Sequence, residues 1–491
     1  MNNAKIDLKY LKVTYNNCEI HRNTIALIEK GDSYCYETSI VKDEVKGIGL
    51  YSEAFSTLHT FDGRCASITP YVSLRLAECH LKGIGTEISF VDAFYFILKA
   101  RHFLRFLPYQ EKICNLPNDP NQKELESCAN KLLREVIGKF KNLGFVICLE
   151  DNGARIFSKF RLPFQTNVQK HPEYIDLKDA VEQILKFLPR LSQTTTFHAR
   201  YGTTDDKKAF YDLENVLLYN FGFPKDLFVA RLYDGITFSR IDINELKKFQ
   251  AEENIPKEFC HCYEYFADSN PTVASKRERL IAQWNSKPFV AIASSKSVPH
   301  YWKAMRQIAD EIEINDSIDT KNSFSLYLEI EKPKAKELYL LGSLKPLLDG
   351  IISALHGGEF DVQETQLFSE KLDVPREWIT NTKANILGMR RYIQQYPSKT
   401  GIKWNPADDL CDKVCISIVE GEEWRISGRI YEIVPCCPKC GKSKVSIILY
   451  GLPAYSEEMQ KDIDEGRIFL AGCMVEDSIP KYLCRWCKTK F

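Results

Sequence analysis

Cys437-Pro438-Lys439-Cys440-Gly441, answered by Tyr482-Leu483-Cys484-Arg485-Trp486-Cys487-Lys488, decides how the last part of the chain folds. Each Cys-x-x-Cys turn puts two sulfurs on one knuckle. Two knuckles supply the four thiolates that a tetrahedral zinc ion takes at about 2.3 Å. Pro438 stiffens the first knuckle, and Gly441 lets the backbone turn beneath the metal. Between the knuckles, 445–450 reads as a strand, 456–461 opens a helix with a capping serine, and 466–471 returns as a strand. The expectation is a zinc-ribbon module over 435–491 with Cys437, Cys440, Cys484 and Cys487 as ligands. Four thiolates leave no open coordination position, so the zinc is expected to be structural. Trp486 is placed to shield the site. Lys439, Lys442, Lys444, Lys481, Arg485, Lys488 and Lys490 make a local basic cluster. It reads either as a nucleic-acid footprint or as the solvated rim of a protein-docking module. Cys436 and Cys473 are spare sulfurs, read as small buried residues.

Outward from the ribbon, the composition limits the alternatives. A chain of 491 residues exceeds one hydrophobic core and scales to about three domains. Lys+Arg and Asp+Glu are equal at 66 each, so no global field draws the chain to nucleic acid or anionic lipid. Seventeen cysteines fall without a framework spacing, and the first residues lack the apolar core of a secretory signal. Reduced thiols and a cytoplasmic protein are expected. No apolar run reaches about 18 residues, so no membrane span is expected.

The chain reads as a multidomain α+β protein, with an N-terminal α+β domain over 1–165, a middle one over 166–286 and a third over 287–434. Residues 8–61 suggest a strand meander. Helices are expected from 67 to 107, with 90–98 deeply buried, and an amphipathic helix over 123–141. A hairpin turns at 151–153. Further on come helix 176–188, strand 194–200, helix 206–219, hairpin 228–240, strand 259–266 and helix 275–284. The third domain reads as strand 289–293, helix 300–313, strand 323–330, helix 344–355, a helical region 364–395, and strands 413–419 and 426–434.

On the helix 344–355, Lys345 and Asp349 are four apart and share a face. Asp408-Asp409 follows before the last two strands. This order, a strand, then a helix with Lys-x-x-x-Asp, then Asp-Asp, resembles RusA-type Holliday-junction resolvases. The resemblance covers under a third of the chain and spans an insertion. It implies a resolvase-like fold in which Asp349, Asp408 and Asp409 carry over as carboxylates for magnesium-dependent cleavage. Tyr339, Leu341 and Gly342 stand where that family has its first two aspartates and an asparagine. A phosphodiesterase metal site needs several converging carboxylates, so the resemblance implies a degenerate site retained for binding.

A second candidate centre is His198 with Asp212 or Glu214, an acid/base or metal pair if the strand abuts the helix; otherwise 206–219 is a capped amphipathic helix. Arg75 and His80 match the Arg-x4–6-His spacing of HEPN ribonucleases, although Leu76 replaces the usual polar companion. No phosphate-binding glycine loop, dinucleotide fingerprint or nucleophile elbow occurs. The leading expectation is a zinc-containing nucleic-acid-associated or complex-forming binding protein. The alternatives are a metal-dependent nuclease in defence or DNA processing, using magnesium, and a protein-binding scaffold whose zinc is purely structural. The expected partners are a nucleic acid or a protein, with no membrane and no nucleotide cofactor.

Overall fold

The computed structural model describes residues 6–37, 42–59, 67–114, 116–161, 172–187, 196–205, 212–218, 235–268, 278–288, 297–315, 323–336, 338, 340–381, 385–395, 401–433, 437, 439–440, 442, 444–451, 457–472, 480 and 482–490. Its class is α+β. The chain divides into two compact units, Met1–Tyr233 with Phe238–Ser269, and Asp234–Thr237 with Asn270–Phe491.

The first unit opens with helices, not the strand meander expected over 8–61. They are α1 (Lys9–Thr14), α2 (Glu19–Tyr36) and α3 (Glu44–His59). On α2 the buried residues are His21, Thr24, Ile25, Ile28, Gly31, Asp32 and Cys35, a helical spacing that includes polar side chains. Gly31 does not turn the chain. It lets α3 approach, because a Cβ there would lie 2.5 Å from the Tyr51 ring. Next come α4 (Thr69–Lys82) and α5 (Phe90–Cys114), then α6 (Gln122–Asn142). The expected hairpin is present as β1 (Phe145–Leu149) and β2 (Gly153–Ser158), paired Leu149 to Ala154. Helix α7 (Pro172–Phe187), strand β3 (Thr196–Thr203), short helix α8 (Leu213–Leu217), strand β4 (Gly235–Arg240), α9 (Ile243–Glu252) and β5 (His261–Asp268) follow. The unit boundary crosses β4. Strands β1, β2, β5 and β3 are neighbours in that order, all antiparallel. The expected start of helix 206–219 and most of hairpin 228–240 lie outside the described residues.

In the second unit the expected helix 275–284 is strand β6 (Glu278–Asn285). It pairs antiparallel along its whole length with β14 (Arg425–Ile433), so sheet pairing prevails over local helix preference. Helix α10 (Val298–Gln307) and the short strand β7 (Glu313–Ile314) precede β8 (Phe324–Pro333). Helix α11 (Leu340–Ala354) then connects toward β13 (Cys411–Gly421), which runs parallel to β8. Parallel neighbours need a crossover, and an apolar helix is its usual form. Strand β14 lies on the other side of β8, antiparallel. After the short strand β9 (Gly357–Gly358), the long helical region expected over 364–395 is two helices, α12 (Val362–Leu372) and α13 (Arg376–Thr380), followed by the short strands β10 (Met389–Arg390), β11 (Ile393–Gln395) and β12 (Ile402–Trp404). Expected strand 289–293 lies outside the described residues.

The C-terminal module is a three-stranded sheet ordered β16-β15-β17, made of β15 (Val445–Leu449), β16 (Ile468–Leu470) and β17 (Tyr482–Cys484). Helix α14 (Glu457–Asp464) joins β15 to β16, which run parallel. Strand β17 returns antiparallel to β15 and ends on Cys484.

Candidate metal centre and basic face

Register brings the two knuckles together. Val445 pairs with Cys484, and Arg485 N–H donates to Lys444 O at 2.9 Å. The first knuckle therefore enters β15 beside the point where β17 delivers the second. Cys437 N–H donates to Lys442 O at 3.0 Å, and Lys488 N–H donates to Cys484 O at 3.0 Å. Lys488 takes φ 56°, the left-handed turn that closes the second knuckle.

The sulfurs of Cys437, Cys440, Cys484 and Cys487 all lie within 4.8 Å of one another. Across the knuckles, Cys437 Sγ is 3.4 Å from Cys487 Sγ, and Cys440 Sγ is 3.5 Å from Cys484 Sγ. These separations are far beyond an S–S bond of about 2.05 Å. They approach the edge of about 3.8 Å for a tetrahedron with metal–sulfur distances of about 2.3 Å. The group fits a metal ion such as zinc. Hydrogen bonding with Thr489, its side chain first, pulls the Cys487 thiol down to about 6. The Cys484 thiol is also lowered, chiefly by the Cys487 N–H. Both shifts favour thiolate, the form that ligates, whereas, against the Lys442 N–H, burial and the neighbouring sulfurs push the Cys440 thiol up to about 12. Cys436 and Cys473 lie outside the described residues.

Trp486 does not shield the sulfurs. It is 71% exposed, and Lys442 Nζ stands 3.0 Å from its ring centroid. Lys439, Lys442, Lys444, Lys488 and Lys490 are exposed, and none pairs with a carboxylate among the described residues. Arg485 is half-buried, and Lys481 lies outside the described residues. Arg467 of the same module pairs with both Asp462 and Glu465.

Among the other candidates, Lys345 Nζ lies 3.2 Å from Asp349 Oδ1 and 3.5 Å from Asp408 Oδ2. Both carboxylates are largely buried. Asp409 is 4.0 Å from Arg390 Nη2. Tyr339 is outside the described residues. In the first unit, His198 on β3 stacks on Phe266 at 4.7 Å. Asp212 caps α8 with extended backbone and accepts from Asn215 Nδ2 at 2.6 Å. From that non-helical position the Asp212 carboxylate lies within 4.8 Å of that of Glu214. Glu214 is buried.

Arg75 is fully buried and bidentate to Asp32 at 2.6 and 2.7 Å, with further bonds to Tyr71 O and Ile6 O. It is a structural tie, not a ribonuclease arginine beside His80. A feature missing from the sequence reading is a cleft of about 250 Å³ lined by Leu98, Arg101, Asn130, Glu150 and Ile184. Its residues come from three helices and a hairpin, a convergence that linear spacing does not encode.

Among the described residues no helix is long and apolar enough to cross a membrane. Compared with known proteins, the chain matches no family model, no curated protein and no solved structure.

Proposed function

We propose that this is a zinc-containing, nucleic-acid-associated binding protein whose contact surface is the C-terminal module. The observation that carries the reading is the uncompensated charge around the cysteines. Four thiolates about a divalent zinc leave a formal charge of about −2. Lys439, Lys442, Lys444, Arg485, Lys488 and Lys490 exceed that charge, while Asp462 and Glu465 pair with Arg467. A surplus of cations beside the two knuckles of a chain with no net charge is a local surface for a polyanion. Zinc acts as the clamp that fixes this face. Its loss removes both knuckles, because binding free energy in such modules is folding free energy.

Salt titration tests the reading. Engagement of four to six phosphates gives a slope of about −3 to −4 in log K against log salt for single strands. A protein-docking scaffold gives no affinity for nucleic acid even at low salt. Chelation strong enough to strip zinc, or Cys484→Ser with Cys487→Ser, is expected to abolish the salt-sensitive binding.

One observation favours a second reading, metal-dependent phosphodiester cleavage of the RusA type. Asp349 and Asp408, far apart in sequence, meet on Lys345 with both carboxylates largely buried. Magnesium would need Lys345 displaced and further oxygen ligands recruited. The expected result is no cleavage of a four-way junction with magnesium present. Cleavage that disappears in Asp349→Asn would establish the second reading instead.

A further inference from the structure

Trp486 is held rigidly and yet left in water. Its neighbours Cys484 and Cys487 are metal-site sulfurs, and the backbone around it is tied by Arg485 N–H to Lys444 O at 2.9 Å and Cys484 N–H to Thr489 O at 2.9 Å. A buried indole would remove on the order of 200 Å² from water. This one is 71% exposed at a position whose backbone cannot easily withdraw it. The other described tryptophans are buried or half-buried. Lys442 Nζ at 3.0 Å from the ring centroid pairs a cation with the π face. A second, looser pair lies in the same module: Phe469 on β16 is 38% exposed, with Lys490 Nζ 5.9 Å from its centroid. Lys490 is bridged to Leu483 of β17.

Aromatic rings interleaved with unpaired lysines match the alternation of bases and phosphates in an unpaired strand. A duplex hides its base faces within its own stack and offers a flat indole only its phosphates. A solvated cation–π pair alone would account for Lys442 over Trp486. It would not account for the further exposed lysines of the two knuckles, Lys439, Lys444 and Lys488, which pair with no carboxylate among the described residues. We infer that the knuckle face binds single-stranded nucleic acid, with Trp486 stacking on a base and Lys442 and its neighbours holding the flanking phosphates. This rests on the nucleic-acid reading above and specifies the strand form.

The test uses the intact, zinc-loaded chain of 491 residues, with a labelled oligothymidylate strand and the corresponding duplex as probes. Trp486→Ala and Trp486→Phe are compared with wild type after zinc content confirms that the module is intact. Wild type is expected to prefer the single strand, with quenching of an indole signal that Trp486→Phe lacks. Trp486→Ala should weaken single-strand binding roughly 5- to 140-fold, the span given by base–aromatic stacking. Trp486→Phe should retain most of the affinity, and duplex binding should change little. Equal single-strand affinity in wild type and Trp486→Ala, or a wild-type preference for duplex, would overturn the inference while leaving salt-sensitive binding in place. Absence of any binding at low salt would overturn the inference together with the reading beneath it.

Discussion

His356, which no sequence pattern marked, is a buried side chain of the second unit whose protonation the native fold opposes. It is 2% exposed, and Nδ1 lies 3.1 Å from Gly388 O. Burial pushes its pKa down from 6.5 to about 4, against the hydrogen bond to Gly388, and Arg390 and Arg306 lower it further. Between those values the unfolded chain takes up a proton that the native chain refuses. Stability is therefore full above pH 6.5 and is lost as pH falls toward about 4. The loss approaches 1.4 kcal/mol per pH unit and totals on the order of 3 kcal/mol. Urea midpoints of wild type and His356→Gln across this window check it. The wild type should lose ground to the variant with acidification, and a constant gap between the two would contradict the assignment. Arg75 carries the complementary lesson. Its spacing to His80 suggested catalysis, while its two bonds to Asp32 across α2 and α4 are visible only in three dimensions. Buried, paired cations of this kind are held by their partners and are unavailable to a substrate.

Among the elements, legibility followed how cleanly burial obeyed one period. Helix α6 was readable almost to the residue, because Leu125, Cys128, Ala129, Leu132, Leu133, Val136 and Phe140 form one apolar stripe. Helix α2 was not, because His21, Thr24 and Asp32 occupy the same kind of stripe and break the apolar signal. Strand β6 was misread for a different reason: its partner β14 lies more than a hundred residues away, and no local pattern encodes that pairing. The β6–β14 contact makes a firm prediction. Gly428 faces Trp284 in register, and a Cβ there would lie 2.1 Å from the indole. Gly428→Ala should destabilise the protein by about 1–3 kcal/mol through overpacking of that buried ring. A thermal or urea midpoint equal to wild type would show that the indole has room to move. The metal centre was the most legible part of the candidate site, since knuckle spacing is local chemistry. The exposure of Trp486 was not legible, because the same residue could have folded over the sulfurs.

Over the whole molecule, charge neutrality concealed the feature that matters most. Equal totals of 66 acidic and 66 basic residues exclude a global field, yet the C-terminal module gathers exposed lysines that no described carboxylate neutralises. The two candidate acid centres, at Lys345 and at Asp212, hold a carboxylate against a cation and against a side-chain amide respectively. The central claim is therefore that the cysteine-held face makes the phosphate contacts. Its most direct test is the salt dependence of oligonucleotide binding in wild type and in a Lys442→Gln, Lys444→Gln, Lys488→Gln variant with zinc content unchanged. Each lysine removed from a phosphate should reduce the magnitude of the log–log slope by somewhat under one unit, about two units for the three. A reduced slope with weakened binding is the result predicted here. An identical slope in the variant would place the phosphate contacts elsewhere and contradict the account.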